Sequence, residues 1–219
     1  MLIEYTDFNN QNEDLSRKFA SEWMEVEQTL CSMPLYVKGS NQQGIKGNMV
    51  FDPIATNAYI KNSLQSKGWI ANAAIPEHIN PLGKDVDFTK NTVLLEIQFS
   101  HYAFLLNNII RSEVFFKSRS ALNSHSVALM VLVTKFDILP SANSSLHYTQ
   151  AVEQLLVIET ANIFSLPTRI VGLNVDIENE IQAIFTQYQS PQSRRIESQT
   201  PINCMVQKSG KTFKIRAIG

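Results

Sequence analysis

The sequence predicts an α/β fold in which a central mixed β-sheet is flanked by helices on both faces. Two observations carry this expectation. Runs rich in strand formers, Val93–Phe99, Val127–Val133 and Arg169–Leu173, recur along the chain and are separated by stretches with helical spacing of apolar residues. The run Val127–Val133 is apolar at every position, which fits a strand buried on both faces.

The elements follow in order. Leu15, Phe19, Trp23, Val26 and Leu30 recur at steps of three and four, so Asp14–Cys31 reads as a helix, with Asn12 or Asp14 as its cap. Met33-Pro34 ends it, and the polar stretch Lys38–Gly44 reads as loop. Met49–Phe51 is a short strand, and Asp52-Pro53 opens a helix running to Lys67. Pro76, Pro81 and Gly83 mark an irregular segment before Asp85–Phe99, where Asn91 supplies a turn signal. Helices are expected over Tyr102–Lys117, Leu146–Thr160 and Ile177–Tyr188, the last two on either side of the strand Arg169–Leu173. No internal repeat or low-complexity linker interrupts the 219 residues, so the expectation is one domain.

Composition narrows the class. A chain of 219 residues should bury about 70 % of its unfolded surface and needs no staples. The two cysteines, Cys31 and Cys204, read as reduced thiols of a cytoplasmic protein. The start MLIEYTDFNNQNED is acidic and polar, unlike a signal peptide, and the apolar run Val127–Val133 is far shorter than the roughly 18 residues of a membrane span. The net charge of -1 and pI near 6.4 argue at face value against a polyanion partner. That balance conceals an asymmetry. Residues 1–30 carry seven acids and two bases, whereas residues 194–219 carry six bases (Arg194, Arg195, Lys208, Lys211, Lys214, Arg216) and one acid, Glu197. Such a split marks either a solvated surface or a polyanion-binding segment.

Chemistry concentrates in one place. Glu96 and Gln98 are two apart on a strand and so share a face, opposite Leu95, Ile97 and Phe99. Asp87 lies nine residues earlier, across the turn at Lys90–Thr92, and a hairpin would set it beside Glu96. Carboxylates among apolar neighbours are costly unless paired or bound to a cation. With the Ile97 carbonyl they form an oxygen-only set suited to Mg²⁺ rather than zinc. The alternative is an exposed edge strand, since the spacing is permissive.

Other chemistries find less support. His78, His101, His125 and His147 form no H-x₃-H or H-E-x-x-H pattern, and no G-x-G-x-x-G, Walker or G-x-S-x-G motif occurs. The chain holds 18 Asn and 14 Gln, more than its 19 Lys and Arg, and such amides pair bidentately with adenine. Asn143-Ser144-Ser145, between a strand and a helix, is a base-reading loop or a helix cap, and the two are compatible.

Asp87…Glu96-Ile97-Gln98 resembles the PD-(D/E)xK nuclease core with glutamine in place of the final lysine. Phe51–Lys61, Asp85–Ser118, Pro140–Leu146 and Pro167–Leu173 together are similar to the BglII-like type II restriction endonucleases that cut GATC-centred sites. The stretches cover most of residues 20–173 in order, and the match fades beyond, leaving about 174–219 as a divergent DNA-contacting segment of a single nuclease domain, 1–219. The resemblance implies a restriction-endonuclease-like core, with Asp87, Glu96 and the Ile97 carbonyl as Mg²⁺ ligands and Gln98 orienting the attacking water. Glutamine cannot take up and release a proton, so the metal would activate that water. The implied reaction is hydrolysis of a DNA phosphodiester, leaving a 5′-phosphate.

The resemblance also implies DNA contacts. Asn143 and Ser144 match the base-contacting Asn-Ser pair for the inner GATC, and Ser100 matches the serine after the catalytic strand. His101 stands where the pattern has asparagine and Ser193 roughly where it has tyrosine, while Arg195, beside Arg194, matches its arginine. Asn to His removes a bidentate adenine reader, a change of about 1–3 kcal/mol in discrimination. The expected site is therefore a six-base palindrome with GATC at its centre and an outer pair other than that of AGATCT, TGATCA being one option and a degenerate outer pair another. A palindrome implies a homodimer, with the helix Tyr102–Lys117 or the one after Leu146 as its isologous surface. The phosphate-facing charge is expected from residues 194–219 and from Lys84, Lys90, Arg111 and Lys117. Two rivals stand beside this reading: a repair or structure-specific nuclease on the same core, and a sequence-specific DNA-binding protein that has lost activity.

Overall fold

The computed structural model describes residues 1–10, 13–142 and 144–218. The chain opens with β1 (Leu2–Phe8), a single-turn α1 (Leu15–Lys18) and α2 (Ala20–Ser32). Asp14 caps α1 by accepting from the amides of Ser16 and Arg17; the alternative cap, Asn12, lies outside the described residues. Phe19, at φ −117° and ψ 42°, leaves the helical region and splits in two the helix expected over Asp14–Cys31.

Next come β2 (Leu35–Gly39), β3 (Met49–Phe51), α3 (Pro53–Ser66), β4 (Ile70–Ala74) and a 3₁₀ segment at Glu77–Leu82. Asp52 caps α3 with Pro53 in its first turn, as the sequence indicates. The hairpin of β5 (Asp85–Lys90) and β6 (Val93–Ile97) turns at Asn91, whose φ of 49° places it in the left-handed region that asparagine tolerates. Then follow α4 (Phe104–Ser118), the small pair β7 (Ala121–Leu122) and β8 (His125–Ser126), β9 (Leu129–Lys135), α5 (Tyr148–Thr160) and β10 (Thr168–Asn174). The chain finishes with β11 (Glu180–Tyr188), β12 (Ile196–Ser209) and β13 (Thr212–Ala217).

A six-stranded mixed sheet, ordered β1-β10-β9-β6-β5-β4, forms the centre. β6, β9 and β10 are parallel, and the outer pairings are antiparallel. Alternate residues feed two cores. Val93, Leu95, Val131, Val133, Val171 and Leu173 pack toward α1, α2 and α3, whereas Leu94, Met130, Leu132 and Ile170 pack toward α4 and α5. Helices thus cover both faces, and every residue of β9 is buried.

The helix expected over Ile177–Tyr188 is not formed. Residues 180–188 are β11, which joins β12, β13, β3 and β2 in a closed barrel. Ile181, Ile184, Phe185 and Tyr188 mimic helical spacing, but β-branched and aromatic residues are abundant there and pairing to β12 and β2 satisfies the backbone. Ala183, Cys204, Val206 and Ile215 bury their side chains in the same core that covers one face of the sheet. Tyr188 closes the join by donating to both carboxylate oxygens of Asp52, 2.9 and 2.7 Å away. No helix among the described residues is long and apolar enough to cross a membrane.

Candidate active site

The β5–β6 hairpin does what its spacing promised. Phe88 pairs with Leu95, which sets Asp87 level with Glu96, and Asp87 Oδ2 accepts the Ile97 amide at 2.7 Å. β6 lies against β9, so the carboxylates rest on the middle of the sheet rather than on an exposed edge. Glu96 is 4 % exposed and Gln98 6 %. The two carboxyl groups lie close enough for each to act on the other's ionisation. Burial pushes the Glu96 carboxyl up to about 8, with the Asp87 charge adding to the effect and Arg111 opposing it. Burial likewise raises Asp87, while the Ile97 amide and Arg111 pull it back.

Arg111, on α4, is the counter-charge. Its Nη2 donates to Glu96 Oε1 in an ion pair buried on both sides, and its Nη1 reaches the Asp85 carbonyl at 3.2 Å. This corrects the expectation that Arg111 faces phosphate: it is 8 % exposed and committed to the carboxylate. Lys90 is likewise committed, to Glu25 and to the Lys67 carbonyl. Asn108, one turn before Arg111, donates to Gln98 Oε1 at 3.2 Å. Asn108 was missed by sequence reasoning, yet a signal existed: Asn108 and Arg111 are polar at i, i+3 on the face of α4 that also buries Leu105, Ile109 and Phe115.

The remaining candidates occupy loops around this strand end. Ser100 and His101 are exposed, and His101 Nδ1 accepts the Ala103 amide. Their backbone locks to the segment before α5: Leu146 donates to the Ser100 carbonyl, Tyr102 to the Ser144 carbonyl, and His101 forms a bridge with Ser145. Ser144 is thus brought beside Ser100 and His101, with a φ of 63°; Asn143 lies outside the described residues. A cavity of about 620 Å³ is lined by Ile97, Ser100, His101, Ala142 and Ser145, with Pro191 on its rim. A larger one, of about 810 Å³, shares Ser141 and Ala142 and is lined by Ser144, Lys211, Lys214 and Arg216. The smaller cavity is the one that reaches the carboxylate strand, through Ile97 and Phe99. Ser193, Arg194 and Arg195 sit on the β11–β12 loop that also supplies Pro191. Ser193 Oγ accepts the Arg195 amide, and no described hydrogen bond joins these three residues to Asp87, Glu96 or Gln98.

A family model described as restriction endonuclease BglII/BglIII matches residues 3–173. The chain belongs to the BglII/BglIII restriction endonuclease family. It is a type II restriction endonuclease, which sets aside both rival readings. It is 43 % identical over 188 residues to the type II restriction enzyme BglII of Bacillus subtilis, covering 86 % of this chain and 83 % of that one. Among solved structures, that of BglII complexed with a DNA 16-mer is similar at a TM-score of 0.93, and that of free BglII at 0.77. Both are 38 % identical and are matched over all of each chain. The family model ends near β10, so it leaves out β11, β12 and β13, whereas the structural match includes them.

The BglII/BglIII enzymes are metal-dependent, and the donor set here fits a cation. Asp87 and Glu96 are buried together at a cost that Arg111 offsets in part and that a bound cation would offset further, and the hard carboxylate oxygens suit such an ion. No group of three or more His, Cys, Asp or Glu side chains able to hold a metal occurs among the described residues.

Proposed function

We propose that the chain is a Mg²⁺-dependent homodimer that hydrolyses duplex DNA within a six-base palindrome centred on GATC, with residues 1–219 acting as one nuclease domain. The observation that carries this is the buried carboxyl pair of Asp87 and Glu96, brought level across the hairpin with Asp87 held by the Ile97 amide. A divalent cation held by this pair with the Ile97 carbonyl supplies the charge that acidifies water and offsets the phosphoryl oxygens.

The chain's own residues do the rest. Asp87 is held by the Ile97 amide and Glu96 by Arg111, so neither carboxyl needs to reorganise to meet substrate. Gln98 accepts a hydrogen bond from the attacking water and keeps it aligned. Base contacts are assigned to Ser100, His101, Asn143 and Ser144, and backbone contacts to Arg194 and Arg195 with the neighbouring Ser193. The BglII structure bound to a DNA 16-mer supports duplex DNA as the partner. Exposed apolar side chains on α4 (Phe104 53 %, Leu106 43 %, Ile110 42 %) and on α5 (Leu156 55 %, Val157 70 %) support a self-association surface. Free Cys31 and Cys204 and the lack of a membrane-crossing helix among the described residues are compatible with work in the cytoplasm.

Digestion of a plasmid carrying every NGATCN palindrome tests the reading. Mg²⁺-dependent cutting confined to one outer pair other than A·T in the AGATCT register is expected. Cutting at AGATCT alone refutes the outer-pair assignment, and cutting without regard to GATC refutes the whole reading.

A further inference from the structure

One polar chain crosses the molecule beneath the carboxylates. Arg111 Nη2 donates to Asn108 Oδ1 at 3.4 Å, and Asn108 Nδ2 donates to Gln98 Oε1 at 3.2 Å. Gln98 Nε2 in turn donates to Ser100 Oγ at 2.7 Å and to the His101 carbonyl at 3.3 Å. Arg111, Asn108 and Gln98 are all buried. The chain therefore runs from the helix that supplies the counter-ion of Glu96 to the turn that carries Ser100 and His101.

Its direction is fixed at both ends. A guanidinium has donors only, so Asn108 must turn its oxygen to Arg111 and its nitrogen to Gln98. A backbone carbonyl accepts only, so Gln98 must turn its nitrogen to His101 and its oxygen to Asn108. The two arguments start from opposite ends and agree. Both hydrogens of Gln98 Nε2 are then spent, and its remaining capacity is one lone pair on Oε1. Ser100 Oγ, receiving a hydrogen from Gln98, keeps its own to donate.

We propose that Asn108 is a positioning residue for the nuclease reaction: with Arg111 it fixes the sense of the Gln98 amide, making Gln98 an acceptor toward water and Ser100 a donor toward the DNA. This inference rests on the nuclease reading above. It also joins base recognition to hydrolysis, because the same amide nitrogen braces the Ser100–His101 turn, and that turn is bonded to Ser144 and Leu146. A displaced turn would pull on Gln98, so a mismatched sequence would reach the carboxylates with a misplaced water.

Asn108→Asp tests this by offering acceptors only. When ionised, the substituted carboxylate keeps the contact with Arg111 but is opposed by Glu96 on the same guanidinium. The rate is therefore followed from about pH 7 to 9, where the ionised side chain reverses the Gln98 amide and a protonated one does not, and circular dichroism checks the fold. The Gln98 amide must then turn its nitrogen to that carboxylate and set Oε1 against the His101 carbonyl. Asn108→Leu, with the same branching and number of heavy atoms, removes both bonds without reversing the sense. Loss of partners that orient a site costs about 10–100-fold. The expected single-turnover cleavage rate at saturating Mg²⁺ is about tenfold down for Asn108→Leu and about 100-fold down for Asn108→Asp. Cognate-duplex affinity without Mg²⁺ should stay within about threefold, and the Asn108→Asp melting temperature should equal or exceed that of Asn108→Leu. A merely structural Asn108 gives the opposite order, with the rate following the melting temperature. Equal rates for wild type and Asn108→Asp, or a loss of binding that matches the loss of rate, overturns the proposal.

The side-chain amide resonance of Gln98, assigned by its disappearance in Gln98→Met, separates this from failure of the nuclease reading. A wild-type enzyme that cuts no DNA rejects the nuclease reading. An amide resonance unmoved by Asn108→Asp rejects the chain itself.

Discussion

Replacing Lys135 with methionine should change the pH dependence of stability more than stability itself at neutral pH. Lys135 ends β9 with no exposed surface, and its Nζ donates to the Leu139 carbonyl at 2.9 Å, at the root of the segment that leads to Ser144. Burial lowers its ammonium to about 8 from the usual 10.5, with Asp137 resisting the shift. Below pH 8 the folded protein therefore carries a buried charge, at a cost of about 3 kcal/mol for roughly 2.5 pH units. Between pH 8 and 10.5 the folded state binds fewer protons than the unfolded chain, so stability rises with pH through that window. Lys135→Met removes the titration while keeping the stem. At pH 7 it sheds the desolvation cost but loses a charged hydrogen bond of about 1.5–3 kcal/mol, so the net change should be small. Urea unfolding of both metal-free proteins from about pH 7 to 10.5 measures the difference, in which groups not coupled to Lys135 cancel, and His147, which Lys135 helps to lower, titrates below that range. Wild type should gain about 3 kcal/mol on the variant across the range. A constant difference would refute the reasoning, because it would mean that Lys135 ionises alike in both states.

Three further outcomes follow from other contacts. Tyr188→Phe should cost about 1–3 kcal/mol in thermal unfolding, because the phenol, raised by burial and by Asp52, is the side-chain donor from the barrel to that fully buried cap. Arg169→Met should cost about 3 kcal/mol by denaturant titration. It leaves Asp7 without its two-point partner and empties the slot between the Tyr5 and Trp23 rings, 4.0 and 4.2 Å from the guanidinium. Val157→Asp, on the most exposed apolar position of α5, should shift sedimentation toward monomer without changing the circular dichroism; an unchanged mass would exclude α5 from the interface.

The carboxylate hairpin was legible because its signals are local. Asn91 marks the turn, strand alternation puts Glu96 and Gln98 on one face, and nine residues of separation bring Asp87 level. The three buried parallel strands were legible as apolar runs, and Asp52-Pro53 as a helix start. The barrel was not. β11 carries apolar residues at spacings compatible with a helix, and only its partners β12 and β2, distant in sequence, decide the matter. β1 was hidden for a related reason: its acids Glu4 and Asp7 counted only towards an acidic, polar start, yet Asp7 is the partner of buried Arg169. Arg111 shows the limit most plainly. A basic residue on a helix of a DNA enzyme reads as a phosphate contact, and only the packing of α4 on the sheet reveals it as the counter-ion of Glu96. Low overall charge was a poor guide as well, since several bases are spent inside the fold and those on Lys211, Lys214 and Arg216 line a cavity.

The central claim is that Asp87 and Glu96 together hold the cation on which hydrolysis depends. Single-turnover cleavage of a cognate duplex by Asp87→Asn and Glu96→Gln, with Mg²⁺ titrated and duplex affinity measured alongside, tests it most directly. The account predicts no Mg²⁺-dependent cleavage by either variant, with specific binding retained. Wild-type cleavage by either one would contradict it.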